Sequence, residues 1–253
     1  MLAIISSGED GGSPGFTFQG APDGIGLAPG PDSYSVDVFV SHEETTVPFF
    51  GRADFQGASV SRLTLDTGTG GVTQASVALP ASAGFLRFCS AFMAGPAEGY
   101  SFYTFFTGEE TNDVVPVTAG APYGADPALA PSRQGGYAVA LDTQTGYFTQ
   151  IAGLGRFNHE NTITVPGGWK GFTLLSTDDT FSAPSGQLYM YRAQHESHIW
   201  EDKGSLWAFR VTGTSEGNVK GKGKNGKIDS SDPFNNANDY LDLQPGDNWQ
   251  GKF

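Results

Sequence analysis

The sequence predicts an all-β protein made of propeller-like blades of antiparallel strands, and three observations carry that prediction. The chain of 253 residues holds 36 glycines and 15 prolines, and Val, Thr, Phe and Tyr are abundant between them. That is the composition of short strands joined by turns, not of helices. No stretch reads as a long amphipathic helix; the strand-like runs are short and bounded by turn signals such as "PDG" and "PGGW". One hairpin is also written twice. "SRLTLDTGTGGVTQ" and "YAVALDTQTGYFTQ" both read strand, Asp-Thr-x-Thr-Gly turn, strand, as expected where blades of about four antiparallel strands repeat.

Taken in order, "LAIIS" over 2–6 is an apolar run. "YSVDVFVS" over 34–41 alternates apolar and polar residues like a half-buried strand, and "SVSRLTL" over 59–65 leads into the first repeated turn. "GFLRF" over 84–88 and "SFYTFFT" over 101–107 are rich in aromatic residues. "GYAVAL" over 136–141 leads into the second repeated turn, and "TITV" over 162–165 is mostly β-branched. "FTLLS" over 172–176, "QLYMYR" over 187–192 and "SLWAFRV" over 205–211 complete the set. These runs supply two to three blades, fewer than the roughly four that closure needs. The expectation is one propeller-type domain over 1–253, an incomplete propeller that forms part of a larger one. Residues 214–240, with Lys220, Lys222, Lys224 and Lys227 set largely between glycines and then Asp and Asn, read as a surface loop within it. That stretch has neither a Walker Gly-Lys-Ser/Thr pattern nor EF-hand spacing.

Composition excludes several functions. A net charge of -13 argues against binding nucleic acid or anionic lipid through bulk charge, and no apolar run approaches the roughly 18 residues of a membrane span. Cys89 is the single cysteine, so no internal disulfide forms. The opening "MLAIISS" is too short and uncharged for a signal peptide. An export signal already removed, a cytoplasmic protein and a piece of a longer chain all fit that.

Ionisable residues gather where apolar runs stop. Glu9 and Asp10 follow the first run, and His42, Glu43 and Glu44 follow "VDVFVS". Glu109 and Glu110 follow "FYTFFTG", His159 and Glu160 sit in "GRFNHEN", and Asp178 and Asp179 follow "GFTLLST". Polar strand ends are ordinary when they are simply exposed. Carboxylates brought together at one end of adjacent strands would instead repel, each raising the pKa of the others, and cations would relieve that. Many oxygen ligands suit Ca²⁺, and a mix of carboxylate, His and a thiolate also admits a transition metal.

These residues carry a resemblance. "GAPDGIGLAP" followed by "VDVFVSHEE" resembles the N-terminal signature of the PhoX-type alkaline phosphatases. "YTFFTGEET" resembles that family's Glu-Glu segment, "GRFNHEN" its second His-Glu motif, and "TLLSTDD" with "GQLYMYR" its Asp-rich strand and the aromatic strand after it. The four motifs occur in the family's order over about 20–211. The resemblance implies an exported, secreted or periplasmic, β-propeller that hydrolyses phosphate monoesters with Ca²⁺ and Fe³⁺. By position it implies Glu43 and Glu160 as iron ligands and Cys89 as the thiolate. It also implies Glu109, Glu110, Asp178 and Asp179 as calcium ligands. Glu9 and Asp10 match no motif. Read on its own, a single cysteine in "FLRFCSAFM" is more often a small buried hydrophobe than a ligand. His42 and His159 either orient the neighbouring Glu or pack.

The chain departs from the family's pattern in three places. Thr-Gly stands where the Glu-Glu motif has Thr-Cys, "GYSFYTFF" replaces a Trp-rich segment, and nothing from Thr212 onward supplies a final iron ligand. If the sequence is complete, the expectation is a metal site completed only in an oligomer, or one that is altered or vestigial. Arg52, Arg87 and Arg156 lie near the motifs, and none is singled out as the basic contact to substrate. Two other readings compete. One is a non-catalytic, calcium-stabilised extracellular propeller for binding or assembly. The other is a calcium-dependent propeller hydrolase of phytate, lactones or other esters.

Overall fold

The computed structural model describes residues 3–43, 57–111, 114–116, 132–167, 170–180, 186–214 and 249–253. β1 (Pro22–Pro29), β2 (Ser35–His42), β3 (Ser59–Asp66) and β4 (Val72–Leu79) form a first antiparallel sheet in chain order. β5 (Phe92–Ala94) and β6 (Thr104–Gly108) begin the second. A separate hairpin of β7 (Val114–Pro116) and β8 (Ser132–Gln134) follows, and β9 (Ala138–Asp142) and β10 (Phe148–Ile151) then complete that sheet in the order β5-β6-β9-β10. β11 (His159–Thr164), β12 (Phe172–Asp178), β13 (Leu188–Ala193) and β14 (Ser205–Ala208) form the third, with the short helix α1 (Glu196–Trp200) between β13 and β14. β15 (Arg210–Thr214) pairs with β16 (Trp249–Lys252). The first strands of the sheets meet, β1 against β5, and β11 against both β5 and β6. They are the inner strands of three consecutive propeller-like blades. No helix among the described residues is long and apolar enough to cross a membrane.

The alternation of strand side chains sorts the core into layers between blades. On β6, Phe105 joins Ala28, Phe39, Val60 and Leu79 of the first blade, while its neighbour Phe106 joins Leu174 and Tyr191 of the third. β9 divides the same way, with Val139 and Leu141 toward the first blade and Ala138 and Ala140 toward the third. The far side of the first blade is covered by the N-terminal segment, where Phe16 and Phe18 pack on Val38, Val40, Leu63 and Ala75.

The repeated turn occupies equivalent places, between β3 and β4 in the first blade and between β9 and β10 in the second. Asp66 accepts hydrogen bonds from the Gly68 and Thr69 amides and the Thr69 hydroxyl. Asp142 does the same for the Gln144 and Thr145 amides and the Thr145 hydroxyl. Thr67 donates through both amide and hydroxyl to the Tyr34 carbonyl, and Thr143 does so to that of Tyr103. Gly70 and Gly146 close the turns at φ +72° and +74°. The repeated pentapeptide is thus one polar clip that fastens the third strand of a blade to the start of its second.

Three expectations are corrected. Residues 3–6 form no strand, and Met1 and Leu2 lie outside the described residues; Ile5 instead packs in the N-terminal segment. Residues 84–88 are not a strand either. Positive φ at Gly84 and Arg87 bends the chain, and the run is apolar because Phe85 and Phe88 are core residues, with one isolated bridge from Phe88 to Glu109. "PDG" does not mark a turn but opens β1. The run at 205–211 divides into β14 and the start of β15. Of the loop at 214–240, residues 215–240 lie outside the described residues, as do Glu44 and Arg52.

Open space surrounds both turn glycines, with nothing within 4 Å of a Cβ on Gly70 and only the Ala78 carbonyl, at 4.0 Å, near one on Gly146. Gly70→Ala and Gly146→Ala should therefore each cost only the left-handed backbone penalty, about 1–2 kcal/mol. Urea unfolding should give nearly equal losses for the two.

Candidate metal centre

Each charged dipeptide at a strand end is divided by the same alternation. His42 is buried at the end of β2, where its Nδ1 donates to the Gly20 carbonyl (3.0 Å) and its Nε2 faces the Ser61 hydroxyl (2.8 Å). Glu43, next along the chain, turns the other way. His159 is fully buried at the start of β11, with Nδ1 2.9 Å from the Ser176 hydroxyl and Nε2 3.2 Å from the Gly155 carbonyl, and Glu160 turns out beside it. Both imidazoles are held neutral, because burial lowers their pKa, that of His159 to about 4. The histidines of both His-Glu motifs therefore serve the packing of the blades.

The Glu-Glu pair divides likewise. Glu109 is completely buried and its carboxylate accepts the backbone amides of Leu86 (2.9 Å) and Tyr137 (3.1 Å). It locks two loops to β6 and lies outside the candidate cluster, while Glu110 enters it. Gly108 fits this arrangement, since a Cβ there would lie 2.4 Å from that of His159. Of the Asp pair, Asp178 accepts the Thr180 hydroxyl at 2.6 Å, and Asp179 shares a hydrogen bond with Glu110. Glu9 and Asp10 are remote, accepting the Ser6 and Gly12 amides within the N-terminal segment.

What converges is a cluster centred on the single thiol. Donor atoms of Asp23, Glu43 and Cys89 lie within 4.8 Å of one another, and so do those of Cys89, Glu110 and Glu160. The Cys89 thiol points at the Asp23 carboxylate (3.5 Å) and the Glu160 carboxylate (3.4 Å). Asp23 was not among the residues expected from sequence. It stands in a break of register between Pro22 and Ile25, and Glu160 stands in the matching break between His159 and Thr162. Such bulges re-aim side chains at the ends of strands, and here both deliver a carboxylate to the same sulfur.

Backbone hydrogen bonds between sheets hold the donors in place. The Gly24 amide donates to the Cys89 carbonyl (3.0 Å), and the Ser90 hydroxyl to that of Glu160 (2.6 Å). The Glu110 amide donates to the Arg87 carbonyl (2.9 Å), and the Asp179 amide to that of Asn158 (2.9 Å). Gly24 is needed at this contact, because a Cβ would come within 2.4 Å of the Ala91 nitrogen.

The electrostatics are those of several acidic groups gathered in a partly buried place. Burial, the hydrogen bond that protonated Glu110 donates to Asp179 and the charge of Glu43 push Glu110 up to about 7. Burial and Asp23 raise Glu43, and Arg87 offsets part of that rise. Burial and the charges of Glu110, Glu160 and Asp23 push the Cys89 thiol far above its ordinary range. A cation reverses this logic by deprotonating a coordinating thiol outright. The donors also fit one by spacing, since ligands 2.0–2.6 Å from a shared ion lie within about 5 Å of each other. Oxygens in number suit calcium, and the lone sulfur admits iron.

No family model matches the chain, and no curated protein does. Among solved structures, Pseudomonas fluorescens PhoX in complex with vanadate, a transition state analogue, is similar at a TM-score of 0.52 and 17% identity. The match covers 79% of this chain and 47% of that one, so it spans about half the length of the solved structure. At that identity the likeness establishes the fold, a PhoX-like array of antiparallel blades.

Two pH effects follow. His159 stays neutral when folded down to about pH 4, whereas the unfolded chain takes up its proton near pH 6.5. Its stabilisation is complete above about pH 6.5 and declines as pH falls, by up to about 1.4 kcal/mol per pH unit. Thermal unfolding across pH 7 to 4 checks this. Glu110 has the opposite sign. Its folded pKa lies above the ordinary 4.5, so its contribution in metal-free protein is lost as pH rises through about 7. With chelator present, wild-type Tm should drop more between pH 6 and pH 8 than that of Glu110→Gln.

Proposed function

We propose that this chain is a metal-dependent phosphomonoester hydrolase whose cations are held by Asp23, Glu43, Cys89, Glu110 and Glu160, with Asp179 positioning Glu110. The observation that carries the reading is the convergence of four carboxylates from four separate segments on one thiol, in two triads that share the sulfur and are each spaced as a cation requires. The likeness to a PhoX fold supports the assignment to phosphate chemistry. Calcium and iron are the proposed cofactors and a phosphate monoester the substrate. A secreted or periplasmic location follows from the same motif resemblance.

Bound cations supply Lewis acidity toward phosphate oxygens and charge to offset that of the transferring group. The chain's own residues prepare the site for them. Asp23 and Glu160, aimed by their bulges, flank the sulfur, while Glu43 and Glu110 approach from the ends of β2 and β6. Glu110 gives up its proton when a cation arrives, so loading releases protons and strengthens as pH rises toward 7. His42, His159 and Glu109, closed within the sheets, keep those strand ends from shifting.

A second reading is a calcium-stabilised propeller without catalysis, since a likeness at 17% identity establishes the fold and not the chemistry. Elemental analysis of extensively dialysed protein, followed by p-nitrophenyl phosphate hydrolysis, separates the two. The phosphatase reading expects calcium and iron near stoichiometric. It also expects Cys89→Ala to lose iron and at least ~100-fold of the activity with unchanged circular dichroism. Calcium without iron or hydrolysis supports the second reading. Absence of bound metal overturns both.

A further inference from the structure

Arg87 stands two residues before Cys89, and its carbonyl receives the Glu110 amide at 2.9 Å, so it is tied between two donors of the cluster. Its backbone has φ +51°, a left-handed conformation that a residue with a side chain rarely adopts. The conformation is fixed from both sides. The preceding Leu86 amide donates to the Glu109 carboxylate (2.9 Å), and the following Phe88, fully buried, bridges to Glu109. Strain over-determined in this way is concentrated at functional sites. Here it lets two neighbours of opposite character coexist, Phe88 sealed in the core and Arg87 exposed.

Arg87 forms no salt bridge among the described residues, yet it is near enough to Glu43 to offset part of that carboxyl's raised pKa. Arg156, the other described arginine near the motifs, is engaged elsewhere. Its guanidinium lies 3.4 Å over the Tyr137 ring, and its Nε donates to the Gly135 carbonyl. A planar, permanently charged fork beside a cation-binding cluster is suited to holding two oxygens of a tetrahedral oxyanion.

We propose that Arg87 is the substrate-binding residue of this site, taking the outer oxygens of a phosphate group seated on the metal centre, an inference that rests on the metal-dependent reading above. The strained backbone is what turns the side chain outward two residues before the thiol.

Arg87→Gly tests this, because glycine accepts φ +51° freely and the fold is retained. Isothermal titration of inorganic phosphate into calcium- and iron-loaded protein is the primary readout, with metal content and Tm measured alongside. The variant should bind phosphate at least tenfold more weakly, with metal content unchanged and Tm equal to or above wild type. Arg87→Lys, which keeps the charge but loses the fork, should fall between. Phosphate affinity within twofold of wild type in Arg87→Gly overturns the assignment and leaves the metal centre standing. Loss of metal from that variant also overturns it, because Arg87 would then serve the centre and not the anion. A loaded wild type that binds no phosphate, or a wild type that loads no metal, overturns this inference and the phosphatase reading together.

Discussion

Successive side chains on an extended strand point to opposite sides, and this period of two governs how charge is arranged at the ends of the blades. His42 and Glu43, Glu109 and Glu110, and His159 and Glu160 are each adjacent in sequence and opposed in space. One member closes hydrogen bonds inside the protein, and the other reaches the thiol. The inner members are satisfied to a degree that suits their burial: both imidazoles have two polar neighbours, and the Glu109 carboxylate receives two amides. They anchor the backbone from which the outer members project.

Anchoring matters because the outer members repel one another. A flexible chain would let Glu43, Glu110, Glu160 and Asp23 drift apart and regain water. Here the amides of Glu43 and Glu110 are hydrogen-bonded to neighbouring segments, and burial together with the nearby carboxylates raises the pKa of both while they stay in place. The glycines at 24 and 108 belong to the same constraint, since each marks a place where one strand approaches another segment too closely for a Cβ. Glycine before the Glu-Glu pair is in this light a packing requirement imposed by His159.

Much of this was legible in the sequence. The twice-written turn located equivalent hairpins in two blades, and strand-end charge pointed to the right segments for Glu43, Glu110, Glu160 and Asp179. The side each residue faces was not legible, and the reason is physical. Phase can be read only when one face of a strand is polar, and the strand leading to Glu109 and Glu110 carries phenylalanine on both faces. Phe105 and Phe106 are both buried, as are Val38, Phe39 and Val40. Nothing before Glu109 and Glu110 therefore reveals which of them turns inward. Asp23 was hidden for another reason: "PDG" has turn chemistry, and here the same residues produce a bulge in a strand. Arg87 left no signal, because a left-handed arginine is imposed by its surroundings and not by its own preference.

The division of Phe105 and Phe106 between two interfaces leaves the middle sheet with no core of its own. Each of its faces is completed by a neighbour, and either neighbour's detachment strips half of its apolar cover. A sheet so placed does not melt independently; it acts as the keystone through which the two flanking sheets register one another's state. The thiol cluster draws its donors from all three sheets, so the same few ångströms gather residues whose backbones belong to every part of the array.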